Sequence, residues 1–267
     1  IGYAHMEYLG DTLSAIASEK AGIIRPDVPV VYPVRQEEVA QVIEACAAKV
    51  GAETFPLRKQ AIKEIKIRNK TIDFSLHLNY YEYIGFTVST PAVYQIENAA
   101  LSVMALWKLA DVRITIPHMQ AGIRRMAWEG RMEEILPSVY LDGAHNIDGV
   151  HAFLETVRSC PCQGRRKLLY SCVKDKQYQE AAAAIALSGL FDEIGVAALT
   201  DQRALPLTVL EDSYRQYTGF ICKAYKDLDT AFRELVEDKD DEDTVYIVGS
   251  LYLAGEIKAL LRRPRHD

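Results

Sequence analysis

The sequence lacks any apolar run approaching the roughly 20 residues that cross a bilayer as a helix, so no membrane partner is expected. It also lacks a basic surplus. Its 31 Lys and Arg stand against 37 Asp and Glu, and the formal charge of -6 argues against a nucleic-acid role, where a basic stripe is expected. Cysteine is sparse: Cys46, Cys160, Cys162, Cys172 and Cys222 make neither a CxxC redox pair nor a zinc knuckle. An odd, scattered set suits a reducing compartment, and a cytoplasmic location is the expectation. Neither a GxGxxG dinucleotide fingerprint nor a GxxxxGK[ST] phosphate loop occurs. The chain opens on Ile1-Gly2-Tyr3-Ala4 with no features of a signal peptide, and it reads as a longer protein entered mid-strand.

What is present is an ordinary globular composition, 49% hydrophobic and 25% charged over 267 residues, enough for one large or two smaller domains. Leu13, Ile16, Ala17 and Ala21 follow helical spacing after Asp11 or Thr12, with Gly22 as the stop. Pro29 to Tyr32 reads as a short buried strand, and Val39, Val42, Ile43 and Ala47 mark a helix over 37–49. Ile65, Ile67, Ile72, Phe74, Leu76 and Leu78 fall at period two, predicting antiparallel strands joined by a tight turn at Asn69-Lys70. A long helix is expected over 92–109. Residues 116–130, with Pro117, Gly122 and Trp128-Glu129-Gly130, break the pattern, and an interdomain linker is placed at 128–131.

From Glu133 onward short strands at 139–141, 167–172, 193–198, 220–224 and 244–248 alternate with helices over 147–159, 177–189, 207–216, 228–237 and 251–262. That alternation predicts an α/β, Rossmann-like domain with a mostly parallel, doubly wound sheet. The acidic run from Glu237 to Asp243 is expected to be a solvated loop. The resulting division is 1–127, a linker at 128–131, and 132–267.

Open parallel sheets place ligand groups beyond the carboxyl ends of their strands. Asp142-Gly143-Ala144-His145-Asn146 falls there, where Asp142 suits ribose hydroxyls or a cation, and His145 a base or phosphate. The competing reading is a plain turn with Asn146 as helix cap. Gly249-Ser250 falls at the end of the last strand, with Ser250 either a cap or part of an anion site. Lys174-Asp175-Lys176 is a third candidate, or a charged turn. In the first half, His5 follows strand-like residues, and Lys20 has Ala17, Ala21 and Ile23 near it in sequence, an environment in which a desolvated lysine becomes nucleophilic. Arg131 in the linker has the planar fork suited to a transferring phosphate, or makes a surface ion pair.

Six motifs in order carry a resemblance: His5-Met-Glu-Tyr-Leu-Gly-Asp-Thr12 with Ile16-Ala-Ser-Glu-Lys-Ala-Gly-Ile-Ile24, Gln95-Ile-Glu-Asn-Ala99, Trp128-Glu-Gly-Arg-Met-Glu133, Leu141-Asp-Gly-Ala-His-Asn146 and Val248-Gly-Ser-Leu-Tyr-Leu253. Together they resemble the folylpolyglutamate synthase and dihydrofolate synthase family of the Mur ligase superfamily. The resemblance implies an ATP-dependent ligase that adds L-glutamate to folate or dihydropteroate, in a protein that is usually monomeric. It assigns His5 to catalytic Mg²⁺, Lys20 to a carbamate near the metal, and Asn98 to the nucleotide. It further assigns Arg131 to the ATP phosphates, Asp142 and His145 to the nucleotide, and His145 and Ser250 to glutamate. It makes 1–127 the latter part of a central ATP-binding domain and 132–267 a glutamate-ligase domain.

The chain departs from that pattern at Ala4, where Asp is usual, at Tyr94, where His is frequent, and at Glu129, where Pro is usual; the last is expected to loosen the linker. With no phosphate loop, the chain as given is expected to be inactive. Another Mur-type ligase, acting on a cell-wall precursor, is disfavoured by the EKAGI and DGAHN segments. A noncatalytic binding remnant of the fold is the alternative.

Overall fold

The computed structural model describes residues 12–68, 70–78, 82–174 and 177–262. They fall into two compact units divided between Ala127 and Trp128.

In the first unit, α1 (Leu13–Ala21) is capped by Thr12, whose side-chain oxygen accepts the Ala15 amide. Gly22 ends it with φ -59°, an ordinary right-handed conformation, so the expected left-handed glycine stop is not used. Strand β1 (Val30–Pro33) leads to α2 (Glu37–Val50), which does end on a left-handed glycine, Gly51 at φ 72°. Strand β2 (Thr54–Leu57) then pairs parallel with β1, a pairing that requires a crossover such as α2. Three antiparallel strands follow in the order β3 (Ile62–Ile67), β4 (Ile72–His77), β5 (Tyr83–Val88). Helices α3 (Gln95–Leu109) and α4 (Ile116–Arg125) complete the unit. Ile72, Phe74, Leu76, Phe86 and Val88 of the sheet share one core with Ile96, Ala100 and Val103 of α3 and Met119 and Ile123 of α4.

Two expectations need amending. The period-two pattern buries β4, but Ile65 and Ile67 of β3 are exposed at 49% and 39%. The β3–β4 register shifts between Lys63 and Lys66, where Glu64 has φ 51°, but Ile67 still lies opposite buried Ile72; β3 is an edge strand of this sheet, and its isoleucines stay partly open to solvent. The stretch around Pro117 is a helix. Pro117 sits in its first turn, where a missing N–H is harmless, and Thr115 with His118 forms a capping box.

The second unit is a six-stranded sheet in the order β10 (Ile221–Tyr225), β9 (Glu193–Ala197), β8 (Arg166–Tyr170), β11 (Thr244–Val248), β7 (Val139–Asp142), β6 (Glu133–Leu136). All neighbours are parallel except β6, which runs antiparallel to β7. Among the described residues the unit's helices are α5 (Ile147–Ser159), α6 (Tyr178–Leu187), α7 (Leu207–Arg215), α8 (Leu228–Glu237) and α9 (Leu251–Arg262). Central β11 shows why both faces are covered. Val245 and Ile247 pack with Phe232 and Leu235 of α8 and Leu253 and Ile257 of α9. Tyr246, pointing the other way, meets Phe153 of α5 edge-on at 5.8 Å. Two-sided burial is the rule for parallel sheets, whose carboxyl strand ends here are Asp142, Tyr170, Ala197 and Val248.

Candidate active site

Asp142 closes β7 and is 2% exposed. Its Oδ1 accepts the Ala144 amide at 2.8 Å and its Oδ2 the Met132 amide at 3.1 Å. Both oxygens are thus already engaged, and the observed work of Asp142 is to brace the β7–α5 turn against the segment after Trp128. The Gly143 amide adds a bond to the Gly130 carbonyl at 2.7 Å. Gly143 itself sits in a crowded place. A Cβ there would lie 2.4 Å from Leu251 Cδ2 and 2.9 Å from Arg131 Nη1, so the Arg131 side chain and the start of α9 close over this glycine.

His145 is half-buried, with Nδ1 2.9 Å from the Gly143 carbonyl oxygen. A carbonyl only accepts, so Nδ1 carries a proton here, and in the uncharged form of the ring Nε2 is the acceptor. Asn146 is the helix cap, its Oδ1 receiving the Gly149 amide at 2.8 Å. Ser250 is likewise a cap: it is 2% exposed, and its Oγ accepts the Leu253 amide at 3.0 Å. Gly249 before it has φ 133°, and a Cβ there would fall 2.2 Å from the Ser171 carbonyl oxygen. No side chain fits this turn, which therefore holds the end of β11 against the end of β8. One edge of the second unit thus brings together Arg131, Asp142, His145 and Ser250.

The segment around Arg131 is held firmly within this unit. Gly130 donates its amide to Glu133 Oε2 at 2.7 Å, and Lys258 of α9 lies 2.8 Å from both Glu129 Oε2 and Glu133 Oε1. The Lys258 hydrogen bond and charge hold the Glu129 carboxyl below its usual pKa. Glu129, at the usual proline position, is thus one of two carboxylates paired with Lys258. Gly130 (φ 63°) and Met132 (φ 47°) take left-handed conformations on either side of Arg131. The Lys258 clip was unreadable in the sequence because its partners lie over a hundred residues away.

The other candidates are more dispersed. His5, Asp175 and Lys176 lie outside the described residues. Lys174 is exposed and donates its amide to the Arg203 carbonyl. In the first unit Lys20 is exposed in the last turn of α1, and Ile23 is 81% exposed, so among the described residues no apolar surround forms around this lysine. Asn98, one turn into α3, donates Nδ2 to Gln95 Oε1 at 2.8 Å. Among the described residues no group of three or more His, Cys, Asp or Glu gathers to hold a metal ion.

Comparison with known proteins agrees with this architecture. Residues 124–251 match the model for the Mur ligase glutamate ligase domain. The chain is 32% identical over 270 residues to the dihydrofolate synthase/folylpolyglutamate synthase of Bacillus subtilis, covering 98% of this chain and 61% of that protein. It is 27% identical over 265 residues to the folylpolyglutamate synthase of Lacticaseibacillus casei, covering 96% and 59%. The solved folylpolyglutamate synthase of Mycobacterium tuberculosis complexed with ADP and AMPPCP superposes with a TM-score of 0.82 at 24% identity, covering 99% of this chain and 63% of that one. E. coli FolC in complex with DHPP and ADP gives 0.80 at 23%, covering 98% and 59%. These two structures share the fold.

Most of the second unit is therefore similar to the Mur ligase glutamate ligase domain. Over nearly its whole length the chain is a homologue of the folylpolyglutamate and dihydrofolate synthases. It spans about three-fifths of the length of these relatives.

Proposed function

We propose that this chain supplies the linker arginine, the nucleotide-facing turn and the amino-acid domain of an ATP-dependent amide ligase. The enzyme adds L-glutamate to folate or dihydropteroate. In this reading ATP phosphorylates a substrate carboxylate, the amino group of glutamate attacks the acyl phosphate, and phosphate leaves. Such chemistry rests on positioning and charge neutralisation and needs no protein nucleophile. The observation that carries the reading is the crowded turn at Gly143, across which the Arg131 guanidinium lies. There Arg131 balances phosphate charge, and Asp142 fixes the turn through Ala144 and Met132. His145 Nε2 is free to take a hydrogen bond from the incoming amino group. Ser250 shapes the start of α9 beside it.

Mg²⁺ enters the proposal through His5, and Lys20 as a carbamate and Asn98 as a nucleotide contact enter through their matching motifs. The Yersinia pestis enzyme of the same fold was solved with AMPPNP and a Mn ion. When bound, Mg²⁺ would neutralise phosphate charge, and no role given above for Arg131, Asp142, His145 or Ser250 depends on it.

The chain contains no GxxxxGK[ST] loop. We expect the 267 residues as given to show only background ATP-dependent glutamate addition, and measurable turnover overturns that expectation. A chimera joining the preceding part of the Bacillus subtilis relative to this chain tests the reading itself. Labelled glutamate should be incorporated into dihydropteroate or a reduced folate; a folded chimera that binds ATP yet incorporates none favours the noncatalytic alternative.

A further inference from the structure

The loop after β9 matches none of the motifs above, yet it is fastened to the helix that begins at Ser250. The Thr200 amide bonds both carboxylate oxygens of Glu256 on α9, at 3.0 and 3.3 Å. Ala204 forms an antiparallel bridge with Val173, just past β8. On either side of it Lys174 N–H reaches the Arg203 carbonyl at 2.9 Å, and Leu205 N–H reaches the Cys172 carbonyl at 3.1 Å. The loops after β8 and β9 are thus joined to each other and to α9.

This fastening places one side chain with care. The Arg203 guanidinium carbon sits 4.4 Å from the centre of the Tyr252 ring, and its Nε donates to Asp201 Oδ1 at 3.2 Å. Tyr252 lies two residues beyond Ser250, in the first turn of α9. Two arginines therefore flank one helix start: Arg131 on the side of Leu251 and Gly143, Arg203 on the side of Tyr252. The Arg203 side chain remains 52% exposed. A guanidinium has five N–H donors, more than Tyr252 and Asp201 take up, and its planar fork matches a carboxylate. Tyr252 and Asp201 restrict the side chain in advance, which lowers the entropy lost when a ligand arrives.

We infer that Arg203, held over the Tyr252 ring, receives a carboxylate of the incoming amino acid. The inference rests on the reading of the second unit as the amino-acid domain, and it adds a second arginine at the start of α9. A loop clamp with no ligand role would lose stability on mutation and leave ligand preference untouched.

The test is a ¹⁵N NMR titration of the 267-residue chain with L-glutamate, L-glutamine and L-isoglutamine. Glutamate should shift amides in 249–253 and around 203, and one of the two amides should bind more weakly. Arg203→Ala should weaken glutamate binding by roughly tenfold to a hundredfold, the loss of one charge-assisted contact, and abolish that preference. Arg203→Gln, which keeps the stem against Tyr252, carries the test if the alanine variant unfolds; Arg203→Lys should be intermediate. Glutamate affinity and preference unchanged in these variants would remove Arg203 while leaving the amino-acid reading intact. No glutamate-dependent shift in the wild-type chain would overturn both.

Discussion

At the residue scale, the two glycines at the site separate catalytic from structural demands. Gly143 is crowded by the ends of two flexible side chains, Leu251 and Arg131, so an added methyl can be accommodated by moving them. Gly143→Ala in the active chimera should therefore reduce turnover far more than stability, because the moved group is the arginine. Arg131→Ala in the same background should cut kcat by roughly a hundredfold or more, as loss of an electrostatic contact to a transition state does, with little change in Tm. An unchanged rate would remove Arg131 from the catalytic set. Gly249 is different. Its obstacle is the Ser171 backbone, and its φ of 133° is foreign to other residues. Gly249→Ala should lower stability by at least roughly 1–3 kcal/mol, read from the denaturant midpoint; an unshifted midpoint would show that the turn yields.

At the element scale, the helix starts at the strand ends are set by side-chain caps. Asn146→Ala should cost about 1 kcal/mol in a urea titration, the usual penalty for a lost cap. The opposite edge of the second unit has its own polar assembly. Lys167, fully buried in β8, bonds the Asp238 carbonyl and carboxylate, both at 2.7 Å. Asp243 accepts the Arg165 amide at 2.7 Å and the Arg165 guanidinium at 2.9 Å. Burial pushes the Asp243 carboxyl up, but bonds from the Arg165 and Asp240 amides and the Arg165 side chain outweigh it and hold its pKa below the usual value. A carboxyl with a depressed folded pKa contributes stability above its unfolded pKa, near 4, and loses it as pH falls through the lower folded value. Acid unfolding should therefore steepen below about pH 4. Asp243→Asn should flatten that part of the stability profile; an identical acid limb would place the linkage elsewhere.

At the scale of the whole molecule, the two units have separate sheets and separate cores. Residues 128–267 expressed alone should unfold in one cooperative transition by circular dichroism, since a six-stranded sheet covered on both faces is a complete core. A noncooperative melt would show that this unit depends on the first. No helix among the described residues is long and apolar enough to cross a membrane, in line with the absence of apolar runs in the sequence.

Much of the second unit could be read directly. Predicted strands such as 193–198 and 244–248 and helices such as 147–159 and 228–237 match the observed ones within a residue or two. Local sterics, caps and apolar period set these elements, and those properties reside in neighbouring residues. The six ordered motifs pointed to the same family as the homologues do. Tertiary structure alone decided the rest. It left Ile65 and Ile67 exposed on the edge strand β3, added β6 as an antiparallel edge, and buried Lys167 beside Asp238. It also engaged both Asp142 oxygens with main-chain amides and laid Arg203 on Tyr252. Each of these depends on which distant segments meet, and no local period encodes a partner 71 residues away, as for Lys167 and Asp238.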